Sequence, residues 1–184
     1  MEKLNLGCGR SIKEGFTNID IVDFGGNVIH DLNKTPYPFE DNTFDYILAS
    51  HVLEHLDSFH NTVTELSRIT KPGGIIEVYA PFFLNTKYFG EPDHKIPFSI
   101  RTFDNYEDFG NRRLKFYEKW KERDRTDYGG GAKFEIVEKR FHVSNFAILK
   151  WLNFFVNLEP VMYERFFAGI FSPEEVYFRL KCRK

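Results

Sequence analysis

Lys3-Leu4-Asn5-Leu6-Gly7-Cys8-Gly9-Arg10 constrains this chain more than any other stretch. Lys3 to Leu6 reads as a short strand that runs straight into a glycine loop. Gly7 and Gly9 can take φ > 0 and have no Cβ, so a ligand can lie against their backbone. A second strand-like run, Phe16-Thr17-Asn18-Ile19-Asp20, follows closely and ends in a carboxylate. In open α/β sheets an acidic residue at the end of the second strand accepts hydrogen bonds from ribose hydroxyls. Two neighbouring strand ends, one with glycines and one with an Asp, therefore define a crevice shaped for a nucleoside. The dinucleotide fingerprint G-x-G-x-x-G does not fit, because Arg10, Ser11 and Ile12 follow Gly9 and the acidic residue arrives early. An oxidoreductase is disfavoured.

A chain of 184 residues with 42% hydrophobic and 28% charged residues is ordinary for one globular domain with a real core. A net charge of -2 gives no basic footprint, so no nucleic-acid partner is expected. No apolar run approaches the roughly 18 residues that span a bilayer, so no transmembrane segment is expected. Met1-Glu2-Lys3 leads directly into the first strand, and no leader peptide is expected. Cys8 and Cys182 offer no disulfide framework, and a cytoplasmic location is the plain reading.

Along the chain, Asn27-Val28-Ile29-His30-Asp31 reads as a third strand ending in another carboxylate. Pro36 and Pro38 make a rigid connection, Asp41-Asn42-Thr43 a turn, and Phe44 to Ser50 a largely apolar strand. Phe59, Val63, Leu66 and Ile69 recur at helical spacing, with Asp57 or Ser58 as cap, and Lys71-Pro72-Gly73-Gly74 stops the helix. Ile75 to Ala80 is a further strand, and the alternation of strands with helices argues a parallel sheet.

These residues carry a family resemblance. Asn5-Leu6-Gly7-Cys8-Gly9, Asn18-Ile19-Asp20, His30-Asp31-Leu32, Asp41-Asn42-Thr43-Phe44-Asp45 and Lys71-Pro72-Gly73-Gly74 resemble, in order and spacing, the motifs of class I S-adenosylmethionine-dependent methyltransferases, the small type-11 kind in particular. The resemblance covers Leu4 to Ala80 closely and the remainder more loosely. It implies a Rossmann-like α/β fold: a seven-stranded, mostly parallel sheet of order 3-2-1-4-5-7-6, last strand antiparallel, with helices on both faces. It also implies an acceptor-binding lid inserted over 82–132 of a single domain 1–184. S-adenosylmethionine is then the cofactor. The implied cofactor-binding residues are Asn5, Leu6, Gly7, Cys8, Gly9, Arg10, Asp20, Ile21, Asp31, Leu32, Ser50 and His51. Asp20 would hold the ribose, and Asp31 and Leu32 would flank the adenine. The chain departs from the family pattern at Asn5, which replaces an acidic residue, and in a first helix shortened to a turn around Ser11 to Gly15. The helix that often precedes the first strand is absent too, so the segment after Ala80 or a second subunit, in a homodimer, must cover the site.

His51-Val52-Leu53-Glu54-His55 matches the inverted zinc-protease motif H-x-x-E-H. It follows a buried strand at the cofactor crevice and no third ligand is apparent downstream, so no metal is expected. Leu114, Tyr117 and Trp120 predict a helix with a basic outer face, and Gly129-Gly130-Gly131 a joint for the lid. Phe103, Tyr106 and Phe109 predict a short helix, Phe134 to Val143 and Val176 to Leu180 the last strands, and Phe146 to Leu158 a helix that is buried or meets another surface, with a core helix favoured over a dimer face.

Methyl transfer to a neutral amine needs no base, whereas a sugar or aliphatic hydroxyl benefits from one. Asp93-His94-Lys95, Pro97-Phe98 and Thr102-Phe103 are similar to a segment of small methyltransferases associated with surface-glycan modification. A saccharide hydroxyl or related small molecule is thus the expected acceptor. His94 is the expected general base, oriented by Asp93 or Glu91, with His51 the second choice. The rival reading is a catalytically silent cofactor-binding module that regulates a partner protein.

Overall fold

The computed structural model describes residues 1–108, 132–143 and 150–184. Its frame is a sheet of β1 (Lys3–Leu6), β2 (Thr17–Asp20), β3 (Val28–Ile29), β4 (Phe44–Ser50), β5 (Thr70–Pro81), β6 (Lys133–His142) and β7 (Glu175–Arg183). The strands lie in the order β3-β2-β1-β4-β5-β7-β6. β1 through β5 pair in parallel, and β7 runs antiparallel to both β5 and β6. Order and directions are those the sequence led us to expect.

The two sheet faces are unlike. Leu4, Leu6, Ile47, Ala49, Ile76, Val78, Phe178 and Leu180 are buried on one face. Helix α1 (Phe59–Ile69) packs there through Val63, Leu66 and Ile69. Its cap is Ser58, whose Oγ accepts a hydrogen bond from the Asn61 amide at 3.3 Å. The alternate positions Tyr46, Leu48, Glu77 and Tyr79 are only partly buried. Strands covered on both sides read as continuous apolar runs; a polar, aromatic second face leaves room for a ligand. The links 7–16 and 21–27, which follow β1 and β2, contain turns and no helix.

Helix α1 passes directly into β5, since Thr70 both bonds Leu66 through its hydroxyl at 2.6 Å and pairs with Phe44. Lys71-Pro72-Gly73-Gly74, expected to stop the helix, is the irregular start of that strand.

Beyond β5, α2 (Thr86–Phe89) and a 3-10 turn at Asp104–Tyr106 stand in the described half of the inserted segment. That half is anchored in the core. Phe98 and Phe103 meet Phe59 at ring-centroid distances of 5.7 and 5.2 Å, and Phe103 meets Phe178 at 4.9 Å. Phe109, the helix expected over Leu114 to Trp120 and the Gly129-Gly130-Gly131 joint lie outside the described residues.

The expected buried helix is corrected. Helix α3 (Lys150–Val156) leaves Trp151, Phe154 and Phe155 more than half exposed and buries Val156. The reason lies in the asparagines that interrupt its apolar run. Asn153 Oδ1 accepts from the Val143 amide, and Asn157 both accepts from the Phe141 amide and donates to the Phe141 carbonyl, at 2.7–2.8 Å. These side chains satisfy the free backbone of the edge strand β6, which turns their apolar neighbours outward. Helix α4 (Pro160–Phe166) follows, packing Tyr163 against Phe141 at 6.0 Å.

The proline-rich link ahead of β4 is held by one arginine. Arg68 reaches both carboxylate oxygens of Glu65 at 2.8–2.9 Å, Asp41 at 2.8 Å and the carbonyls of Phe39 and Tyr37. Glu65 also accepts from the Tyr37 amide at 2.7 Å. Burial alone raises the Glu65 pKa, but Arg68 and that amide outweigh it and hold the group below its ordinary value. Arg68→Ala strands a carboxylate whose side chain is only 9% exposed. Because Arg68 itself is partly solvated, the expected loss is about 2–3 kcal/mol, below the cost of breaking a fully buried pair. The wild-type contribution is complete above the unfolded value near pH 4.5 and is lost as pH falls through the depressed folded value. Urea melts of both proteins at neutral and acid pH check this: the gap between them should shrink on acidification.

Candidate active site

The C-terminal ends of β1, β2, β4 and β5 converge where the strand order reverses around β1, the usual place for a ligand in an open α/β sheet. Because β7 is antiparallel, its first residue, Glu175, lies at this same end, paired with Pro81.

The two loop glycines do different work. Gly7 has φ +62°, and a Cβ there would stand 2.2 Å from Cγ2 of Val52, in the turn after β4. Its missing side chain makes room for the protein itself. Gly9 has φ +48° with nothing within 4 Å of a built Cβ, so its open side is available to a ligand. The Gly9 amide donates to Asp20 Oδ2 at 2.8 Å and the Cys8 amide to the Ile19 carbonyl at 3.0 Å, tying the loop to β2. Burial raises the Cys8 thiol pKa, with Asp20 adding to it.

Asn5 holds together the shortened connection. Its amide nitrogen donates to the Ser11 carbonyl and to Asn18 Oδ1, both at 2.9 Å. Asn18 in turn accepts from the Lys13 amide and donates to the carbonyls of Lys13 and Phe16.

A cavity of about 500 Å³ opens beside this loop. Asn5, Gly7 and Cys8 line one side, Ser50 and His51 the strand end, and Tyr46, Glu77, Tyr79 and Glu175 the far wall. His51 has φ +52° and projects Nε2 to 3.3 Å from Glu175 and Nδ1 to 3.5 Å from Glu54. The Glu175 contact, then the Glu54 contact, push its pKa up to about 9 against the opposing effect of burial. Glu175 is correspondingly held below the ordinary carboxylate value by His51. Tyr46 donates to Glu77 at 2.9 Å, and burial with Glu77 raises its phenol pKa. Arg179 stands 3.8 Å from the other Glu77 oxygen.

Of the residues expected at the cofactor, Asn5, Gly7, Cys8, Ser50 and His51 line the cavity. Gly9 and Asp20 sit at its loop, and Ile21, 62% exposed beyond Asp20, offers an apolar surface. Arg10 is exposed, Asp31 accepts from the Asn33 amide, and the side chains of Leu6 and Leu32 belong to the core, leaving their backbone for a ligand. Sequence reading missed Tyr46, Glu77, Tyr79 and Glu175. The signal was a carboxylate and tyrosines at alternate positions of strands read as buried.

The H-x-x-E-H motif is divided. His51 turns toward Glu175, whereas His55 packs against His94 at a ring distance of 4.7 Å. His94 does not line the cavity; its Nδ1 donates to the Tyr88 carbonyl at 2.8 Å.

A family model described as a methyltransferase domain matches residues 15–78. Sterol 24-C-methyltransferase erg6 of Schizosaccharomyces pombe is 34% identical over 101 residues, which is 41% of this chain and 26% of that protein. The chain spans about a quarter or less of the length of the curated relatives it matches. A SAM dependent methyltransferase from Archaeoglobus fulgidus superposes with a TM-score of 0.61 at 18% identity, over 98% of this chain and 85% of that one. The cyclase SpnF superposes at 0.55 and 16% identity, over 99% and 74%. Sheet order, glycine loop and acidic strand end give the chain a Rossmann-like fold similar to that of the methyltransferase superposed on it, and residues 15–78 carry the methyltransferase-domain match. The matched stretch implies S-adenosylmethionine as the cofactor. The residues present suit that cofactor: Gly9 faces open space, Asp20 stands at the second strand end and Ile21 is exposed beside it.

Asp20→Ala is expected to weaken S-adenosylmethionine binding by about 1.5–3 kcal/mol, the range for losing a charged hydrogen-bond partner. Calorimetry on the folded variant checks this, and unchanged affinity refutes the ribose assignment.

Proposed function

We propose that this chain transfers a methyl group from S-adenosylmethionine to a hydroxyl of a small, polyhydroxylated acceptor, a saccharide or a related molecule. The far wall of the cavity carries this reading. Tyr46, Tyr79, Glu77 and Glu175 offer aromatic faces and fixed hydrogen-bonding groups. Both carboxylates are already partnered, Glu77 by Tyr46 and Arg179, Glu175 by His51, so the wall is polar without an unpaired charge. Such a wall suits a neutral acceptor with many hydroxyls. A sterol skeleton would strip water from these polar groups and offer them no hydrogen bond in return.

The cofactor supplies an electrophilic methyl group. The chain holds the acceptor in line, excludes water and handles one proton. His51 and Glu175 line this wall as a pair, and the pair takes up the hydroxyl proton. The described part of the inserted segment is anchored in the core through Phe98 and Phe103.

A second reading is a silent cofactor-binding module. It is favoured by Asn5, whose amide is committed to holding the shortened loop; a class I fold also serves a cyclase. Incubation with labelled cofactor and separate panels of sugars, amines, sterols and quinones decides. Labelled sugar with release of S-adenosylhomocysteine is expected. Labelled sterol, quinone or amine refutes the acceptor, and cofactor binding without transfer to any panel favours the module.

A further inference from the structure

We infer that Glu54, His55 and His94 form a binding site for one divalent transition-metal ion. A carboxylate oxygen of Glu54 and one ring nitrogen from each histidine lie within 4.8 Å of one another. Ligand atoms around a single zinc stand roughly 3–4 Å apart, so small side-chain rotations close the set.

Glu54 is the observation that asks for a ligand. It is 0% exposed, and neither carboxylate oxygen has a hydrogen-bond partner. Burying a carboxylate in that state is costly unless a cation accompanies it. The cationic neighbour in the structure, His51, stands off at 3.5 Å from one oxygen and is turned to Glu175 by its other nitrogen.

His94 is prepared as a ligand. A carbonyl can only accept, so the 2.8 Å contact with Tyr88 places the ring proton on Nδ1 and leaves the Nε2 lone pair free. An imidazole that donates one N–H to a backbone carbonyl while offering its other nitrogen has the outer contact typical of metal-bound histidine. Tyr88 also stacks on the ring at 5.3 Å with a 24° interplanar angle. The backbone assembles the three residues without help from an ion: the Glu54 carbonyl accepts from the amides of Lys95 and Ile96 at 2.7 and 3.0 Å. Sequence reading found no third ligand because the strand and helix between His55 and His94 hide this closure.

Two imidazoles and one carboxylate favour zinc, manganese or iron over calcium or magnesium, whose sites are built from oxygen. Three protein ligands leave coordination positions open to water or a substrate oxygen. The site does not depend on the methyl-transfer reading, because metal alone is its probe.

The test is calorimetry of chelator-treated, full-length protein with Zn²⁺ and Mn²⁺, and the optical spectrum with Co²⁺. One ion per chain is expected, with His55→Ala, His94→Ala and Glu54→Gln each weakening binding at least about 10-fold. His51→Ala and His30→Ala should retain the ion. Should a variant fail to fold, cobalt ligand-field bands in the wild-type protein carry the test, and their absence overturns the assignment. It is also overturned if wild-type protein shows no saturable binding, if a folded His55→Ala/His94→Ala double variant keeps its ion, or if His51→Ala loses it.

Discussion

Gly7→Ala is expected to lower stability by about 3–5 kcal/mol, a large share of the whole stability of an ordinary domain. Two costs add. A φ of +62° is unfavourable for any residue with a Cβ, and the new methyl would stand 2.2 and 2.6 Å from Cγ2 and Cβ of Val52. Val52 cannot swing away cheaply, because it is β-branched and belongs to the buried turn after β4. Gly9→Ala is the matched control. It has the same sign of φ but open space beyond, so its stability cost is about 1–2 kcal/mol and its main effect falls on cofactor affinity. Urea denaturation and calorimetry of both variants separate the roles. Equal stability of the two would refute the packing role given to Gly7.

The frame was legible because its signals are local. The Gly7–Gly9 loop, Asp20 at a strand end and the largely apolar run of Phe44 to Ser50 each fix an element within a few residues. The cavity wall was not, because Tyr46, Glu77, Tyr79 and Glu175 come from three strands and meet only through register. Glu175 was the hardest to foresee. It opens β7, and only antiparallel pairing brings that end beside His51. Asn153 and Asn157 misled for a related reason: they read as breaks in a buried helix, whereas their partners are the backbone of β6, distant from any sequence pattern. The contact between His55 and His94 is likewise invisible without the fold.

His51→Ala is expected to lower turnover of the true acceptor by about 10²–10⁴, with cofactor affinity nearly unchanged. Two histidines compete for this place, and geometry separates them. His51 lines the cavity at the end of β4 and lies 3.3 Å from Glu175. His94 lies behind it, its Nδ1 committed to Tyr88 and its ring against His55. His51 moreover has a left-handed backbone conformation, φ +52°, that is uncommon for a non-glycine residue. Glu175→Gln should behave like His51→Ala, since removing either member dissolves the pair, and the double variant should be little worse than either single one. Steady-state kinetics at saturating cofactor give the measurement, with kcat and KM resolved. A drop in kcat for His51→Ala and Glu175→Gln with a modest KM change supports proton handling at this pair. A rise in KM alone makes the pair an acceptor-binding element, and a kcat loss confined to His94→Ala moves the base to the neighbouring loop.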